Sequence, residues 1–189
     1  MQMKRVFDIT MGVILLVILI PIFITLWIIS AINTLSSGIF LQERIGQYGN
    51  TFTIIKFRTM DVKSHKTSMV GRFMRRCKFD ELPQLINIVK GDMSFVGPRP
   101  DVPGYYDRLQ GDDRKILNLK PGLTSPAALY YFNEEQILAE QDDPKWYNDH
   151  VIFPHKVKMG LEYYYNSSFF GDLAVLFRTV LSFVKKVRQ

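Results

Sequence analysis

The sequence predicts an α+β fold that is mostly helical, with an apolar helix-break-helix at the N-terminus, a short β-hairpin after it and amphipathic helices beyond. Three observations carry this. Ile9 to Ile32 form 24 consecutive residues without a charge, broken by Pro21. Two runs rich in β-branched and aromatic residues, 39–45 and 51–57, flank a turn-forming stretch Gly46–Asn50. Further on, apolar residues recur at helical spacing. Residues 1–33 therefore form a membrane segment, and 34–189 remain for one modest domain with its own core.

A straight helix of that apolar length reaches about 36 Å, against a hydrocarbon core of about 30 Å. The run is too long for a cleaved signal peptide, and no A-x-A site follows it. Pro21 lies at its middle and cannot donate to the carbonyl of Val17, so a kink is expected. Each half would reach about 18 Å as helix, just over half the core depth. Lys4 and Arg5 precede the segment and every other Lys and Arg follows it. Positive charge on both flanks resists placing either flank outside. Entry and return satisfies both flanks; a kinked single span stays open on these residues alone.

The hairpin comes next, with Lys56 and Arg58 two apart and so on one face of its second strand. "SMVGRFMRRCK" reads as a helix with Arg72, Arg75 and Arg76 on one face. Asp80 reads as the N-cap of another helix, with Pro83 in its first turn, an apolar stripe of Leu82, Leu85, Ile86 and Val89, and Gly91 as its end. Asn133 reads as the cap of the acidic helix "EEQILAEQ". At the C-terminus, Leu173, Leu176, Phe177, Val180, Leu181, Val184 and Val187 recur at helical spacing, with Arg178, Lys185, Lys186 and Arg188 elsewhere on the helix. Such a stripe either lies on a bilayer or covers a core, and packing is the favoured reading.

The net charge of +6 points to an acidic partner: nucleic acid, an anionic membrane face or a phosphorylated substrate. The apolar segment favours the last two. The basic stretch lacks interleaved aromatics, and no helix-turn-helix or zinc pattern appears, so nucleic acid is set aside. One cysteine, Cys77, excludes an internal disulfide and a zinc cluster. With no histidine near it in sequence, it reads as an incidental small residue. His150 and His155 read as surface residues, and the acids Glu134, Glu135, Glu140, Asp142 and Asp143 as a solvated helix and its end.

The chemistry concentrates in "RRCKFDELPQLINIVKGDMSFVGPRP", residues 75–100. Asp80 and Glu81 follow four cations, Arg72, Arg75, Arg76 and Lys78. Adjacent helical side chains diverge by about 100°, so both acids reach one site only near a helix start. Free N–H groups there favour a bound anion. One carboxylate can attack phosphorus while its neighbour holds a divalent cation. On spacing alone the plainer reading stays open: Asp80 caps a helix and the cations meet headgroups. Arg99, stiffened between Pro98 and Pro100, suits bidentate phosphate recognition.

"KFRTM", "DELPQLINIVKGDMSFVGPRP" and "KPGLT" together resemble the bacterial sugar transferase family, the monotopic polyprenyl-phosphate phosphoglycosyltransferases, over nearly the whole chain. The resemblance implies an enzyme on the cytoplasmic face of the bacterial inner membrane, with a segment that re-enters rather than crosses. It implies that Asp80 attacks the β-phosphate of a nucleotide diphosphate sugar, usually a UDP-sugar. UMP leaves, and polyprenyl (undecaprenyl) phosphate then takes the phosphosugar from the covalent adduct, the first membrane step of glycan assembly. Glu81 would hold Mg²⁺, and Arg75, Arg99 and Lys56 would contact phosphate. Downstream glycosyltransferases and a second copy of the chain are further candidate partners. Two departures stand out: Ile20 replaces the serine common before the membrane proline, leaving Thr25 as a candidate for the freed carbonyls, and "PGLTSPAAL" replaces "PG-[IL]-TG-x-AQ". Residues 123–130 therefore inherit no binding role. The competing reading is a non-enzymatic, membrane-anchored scaffold that binds anionic lipid and partner proteins, against which the Asp80–Glu81 pair argues.

Overall fold

The structure, a computed structural model, describes residues 2–187; Arg188 and the side chains of Lys186 and Val187 lie outside the described residues. The described chain is mostly helical with two two-stranded sheets, consistent with α+β. It forms two compact units. One holds the residues up to Arg44 with Thr51–Met93; the other holds Ile45–Asn50 and the chain from Ser94 onward.

The first unit contains α1 (Gln2–Ile18), α2 (Ile20–Thr34), β1 (Ile39–Ile45, whose last residue belongs to the second unit), β2 (Thr51–Phe57), α3 (Met69–Arg76) and α4 (Gln84–Lys90). Among the described residues no single helix is long and apolar enough to cross a membrane; α1 and α2 pass that test together, bent by 68°. The bend falls at Leu19, and Pro21 sits in the first turn of α2. There its missing N–H has no intrahelical acceptor to lose. Pro21 thus starts a helix rather than interrupting one. Thr25 does not serve the carbonyl of Val17: its hydroxyl donates to the Pro21 carbonyl at 2.9 Å, the ordinary back-bond of a helical threonine.

Both ends of the apolar pair are fastened inside this unit. Arg5 donates from Nη1 to the Ile88 carbonyl at 2.6 Å and from Nη2 to the Val89 carbonyl at 2.9 Å. A guanidinium fork thus satisfies carbonyls in the last turn of α4. One helix crosses the other closely: a Cβ on Gly12 would lie 2.9 Å from Val89 Cγ2. At the other end, the buried Ser30 hydroxyl lies 2.8 Å from the Gly38 carbonyl and 2.5 Å from that of Arg58. Leu26, Phe57 and Met74 form the core joining α2, β2 and α3.

The hairpin strands have the predicted limits, and a five-residue connection is too short for a parallel crossover. Arg58 falls one residue beyond β2. Its guanidinium stacks over the Phe40 ring, so it does not share a strand face with Lys56 as the alternation suggested. Ser68 caps α3 by accepting from the Gly71 N–H at 3.0 Å. The helix after Asp80 departs from expectation. Phe79–Glu81 form one 3-10 turn and α4 begins at Gln84 with Pro83 at its N-cap, so Asp80 caps nothing. The stripe also shifts: Leu85 and Ile88 are buried while Ile86 is exposed, because α4 is a short plug packed against both α1 and β2. Gly91 ends α4 at φ 103°, as predicted.

In the second unit, β3 (Ser94–Val96) and β4 (Gly122–Thr124) pair in parallel with Ser94 opposite Gly122 and Val96 opposite Thr124. At three residues each, they carry no readable period. The backbones meet where "VGPRP" crosses "KPGLT": a Cβ on Gly122 would lie 2.1 Å from Gly97 N, and one on Gly97 would lie 2.2 Å from the Lys120 carbonyl oxygen. Then follow α5 (Pro126–Tyr130), α6 (Glu134–Ala139), α7 (Pro144–Tyr147), a π-helical stretch Asn148–Ile152, α8 (Phe153–Asn166) and α9 (Phe169–Val187). Ser125 caps α5, accepting from the Ala128 N–H at 2.9 Å, and Pro126 occupies its first turn. The divergent Ser-Pro is a helix start. Asn133 precedes α6 without a side-chain cap bond, Glu134 pairs with Lys156 at 2.6 Å, and the half-buried His155 Nδ1 lies 2.7 Å from the Tyr131 hydroxyl. The core gathers Ile45, Tyr106, Ile116, Leu117 and Val157.

The C-terminal stripe is split. Phe177, Val180, Leu181 and Val184 are exposed, while Leu173 and Leu176 are half-buried on the inward side together with Asp172 and Thr179. The Tyr163 hydroxyl donates to Asp172 at 2.5 Å, and Thr179 Oγ1 lies 2.8 Å from Thr124 Oγ1. Polar groups on β4 and α8 thus supply partners for the two polar side chains that α9 turns inward.

Candidate active site

The acids reach their places through a forced turn. Lys78 adopts a left-handed conformation, φ 56°, costing a non-glycine residue about 1–2 kcal/mol. It reverses the chain after α3, so the Phe79–Glu81 turn carries both carboxylates inward. Asp80 is 9% exposed and Glu81 7% exposed. Strain of this kind collects at functional sites.

Around the acids stand three cations. Lys56 Nζ, from β2, lies 3.5 Å from Glu81 Oε1, and Lys78 Nζ lies 3.9 Å from the same atom. Arg75 donates from Nε to Thr59 Oγ1 at 2.8 Å, so the otherwise exposed guanidinium is oriented by a buried hydroxyl. Asp80 Oδ1 is buried and has no hydrogen-bond partner among the described residues, and Gln84 Nε2 is likewise buried and unpartnered. Burial pushes the Asp80 carboxyl up to about 6; the Glu81 charge adds to the rise, while Lys56, Lys78 and Arg75 oppose it. Asp80 is thus still mostly ionised at neutral pH, with one oxygen uncommitted. That is the state a carboxylate nucleophile requires.

Among the described residues no group of three or more His, Cys, Asp or Glu could hold a metal ion by protein atoms alone. Two adjacent carboxylates, one with an unpartnered oxygen, still fit Mg²⁺, which is commonly held by one or two carboxylates with the substrate's phosphates.

The predicted residues Lys56, Arg75, Asp80 and Glu81 all fall in the first unit, and their charges act on one another. Arg99 belongs to the second unit. It is exposed after the Gly97–Gly122 crossing and lines a small cavity with Pro98, Pro100, Ile45, Tyr106 and Leu117. Sequence reasoning missed Thr59, which orients Arg75, and it missed Asn87. Asn87 is 0% exposed; its Oδ1 accepts from the Ile55 N–H at 3.1 Å and its Nδ2 donates to the Thr53 carbonyl at 2.8 Å. It acts as a one-residue strand beside β2, locking α4 to the element that carries Lys56. A signal was present: an amide inside the apolar run "LINIV" demands partners when buried. Nothing in the sequence marked Arg5 as a partner of α4.

Comparison with known proteins bears on this arrangement. Undecaprenyl-phosphate galactose phosphotransferase of Salmonella typhimurium is 31% identical over 204 residues, covering 94% of this chain and 39% of that protein. EpsL, an uncharacterized sugar transferase of Bacillus subtilis, is 32% identical over 190 residues, covering 95% of this chain and 86% of that protein. UDP-N-acetylgalactosamine-undecaprenyl-phosphate N-acetylgalactosaminephosphotransferase of Aeromonas hydrophila is 28% identical, covering 94% and 42%. The chain spans well under half the length of the Salmonella and Aeromonas relatives. Residues 1–186 match the bacterial sugar transferase family. Motifs and similarity along nearly the whole of this chain agree: the chain belongs to the bacterial sugar transferase family and is an enzyme of that kind.

Proposed function

We propose that this enzyme transfers a phosphosugar from a UDP-sugar to polyprenyl phosphate through a covalent intermediate on Asp80. The observation that carries the reading is the buried Asp80 Oδ1, unpartnered beside three cations. In the first step an Asp80 oxygen bonds to the β-phosphorus, and the bond from that phosphorus to the bridging oxygen breaks. UMP departs with the electron pair. In the second step a phosphate oxygen of the polyprenyl phosphate attacks the same phosphorus and releases the Asp80 carboxylate. No net proton is gained or lost in either transfer. Lys56, Lys78 and Arg75 are the groups able to balance charge on the phosphates. Glu81 would hold Mg²⁺, which when bound neutralises the diphosphate. Arg99, held between its prolines, offers a fork for substrate phosphate. The Salmonella and Aeromonas relatives, named for undecaprenyl phosphate and, in one case, for a UDP-sugar, support the substrate classes.

The same reading places α1 and α2 in the bacterial inner membrane as a re-entrant pair, with the acids on its cytoplasmic face. It is supported by the bend at Leu19 and by both ends of the pair being tied into one unit, through Arg5 on α4 and through Ser30 beside β2. An anionic-lipid scaffold would have no use for two buried carboxylates among its cations.

The test is release of UMP without acceptor. Purified enzyme with Mg²⁺ and a panel of UDP-sugars should give a burst stoichiometric with enzyme, and the peptide holding Asp80 should gain the mass of one phosphosugar. With acceptor present, kinetics should be ping-pong. Sequential kinetics with no adduct would make Asp80 something other than the nucleophile.

A further inference from the structure

We infer that α3 is a membrane-contacting helix in its own right, lying on the anionic headgroup surface beside α2. The inference rests on reading α1 and α2 as the membrane segment. The inward side of α3 is settled by packing: Met74 enters the core with Leu26 and Phe57, and a Cβ on Gly71 would lie 2.4 Å from the Thr59 carbonyl oxygen. On the opposite side Met69 is 78% exposed, Phe73 57% and Val70 39%. At 100° per residue these three share one face, with the exposed Arg72 and Arg76 along its edge. A helix facing water does not gather a phenylalanine, a methionine and a valine on its solvent side; one lying in a bilayer interface does, with cations along the rim.

The approach to the helix has the same character. Lys63, His65 and Lys66 are exposed in the loop before it. The acid of that loop, Asp61, is turned onto its own backbone, accepting from the N–H groups of Lys63 and Ser64 at 3.0 and 2.6 Å and from the Ser64 hydroxyl at 2.8 Å. What remains outward is apolar surface and positive charge, the complement of an anionic leaflet. Position agrees. Met74 packs on Leu26, which lies eight residues, about 12 Å of helix, before the end of α2. α3 therefore packs beside the same helix that exposes Ile24, Trp27 and Ile28. A chain of contacts leads on to the acids: the Phe73 ring meets Phe79 edge to face at 6.1 Å, and Phe79 opens the turn holding Asp80. Lipid packed on Phe73 would steady the turn from which an Asp80 oxygen must reach phosphorus.

The full chain in a Cys77→Ser background should be reconstituted in nanodiscs of phosphatidylcholine, alone or with one third phosphatidylglycerol. Spin labels go singly on Met69→Cys, Phe73→Cys and, as a control in α2, Ile28→Cys. Labels at 69 and 73 should be more accessible to oxygen than to a water-soluble nickel chelate, and more so with phosphatidylglycerol. Arg72→Gln with Arg76→Gln should abolish that lipid difference. If 69 and 73 are open to nickel while 28 faces lipid, this inference fails alone. If 28 is also open to nickel, the membrane reading fails with it. Labels at 69 and 73 shielded from both reagents would mean that protein, not lipid, covers α3, which also overturns the inference.

Discussion

Asp80 is a carboxylate held at a cost to the fold. Its pKa is raised from 3.8 to about 6, mainly by burial. Between those values the folded state binds the proton more tightly than the unfolded chain, so stability falls as pH rises through that window and stays lower above it. Asp80→Asn cannot ionise, so it should raise stability at pH 7.5 by on the order of 1–3 kcal/mol while abolishing the UMP burst. The gain should vanish near pH 4. Denaturant titrations at both pH values check this, and a loss of stability at pH 7.5 would mean that the cations outweigh burial. With Asp80 in the proposed nucleophilic role, wild-type activity should drop below about pH 6 as its carboxylate is protonated. Glu81 carries a different expectation. Glu81→Gln removes one of the two paired carboxylates, so the Mg²⁺ concentration for half-maximal rate should rise, with a rate loss of about tenfold or more by the scale of lost metal-site contacts. Unchanged Mg²⁺ dependence would remove it from the metal's surroundings.

Elements are held to one another by single residues that read as ordinary in the sequence. Asn87 bonds the backbone of β2 from inside α4, and truncating it strands a buried donor and a buried acceptor. Asn87→Ala should therefore lower stability by about 2–4 kcal/mol and slow turnover, because the Lys56 strand and the helix after the acids lose their register. A melt unchanged within error would mean the amide is dispensable. At the β3–β4 crossing, Gly122→Ala would push a methyl to 2.1 Å from Gly97 N. Backbone cannot yield there as a flexible side chain would, so a loss of about 3 kcal/mol or more is expected. The readout is thermal unfolding, and tolerance of alanine would show the two motifs separate in solution.

Across the whole molecule the question is which side of a membrane each end of the apolar pair occupies. A cysteine at Gln2 in a Cys77→Ser background should resist impermeant thiol reagents in intact cells and react once the cytoplasm is opened. Labelling from outside would establish a crossing segment and detach Arg5 from α4. Arg5→Ala offers a milder perturbation: by freeing the last carbonyls of α4 it should reduce activity without changing that labelling pattern. A changed pattern would mean Arg5 acts chiefly as a topological charge.

The sequence by itself determined the features that depend on local chemistry. The hairpin limits follow from β-branched runs and a five-residue turn, the end of α4 at Gly91 from a missing side chain, and the break near Pro21 from a residue that suits a helix start and not a helix interior. Long ordered motifs also picked out Asp80, Glu81, Lys56 and Arg75, which fall in one unit, and Arg99, which falls in the other. The tertiary structure alone decided what depends on partners distant in sequence. Asp172 and Thr179 lie on the inward side of α9, among half-buried apolar residues, because Tyr163 and Thr124 wait there to bond them. Arg5 is a clamp on α4, 83 residues away, and Asn87 is a strand substitute. Periodicity records which residues are apolar along one element. It holds no information about which hydrogen-bonding groups another element will bring, and those groups decided each of these cases.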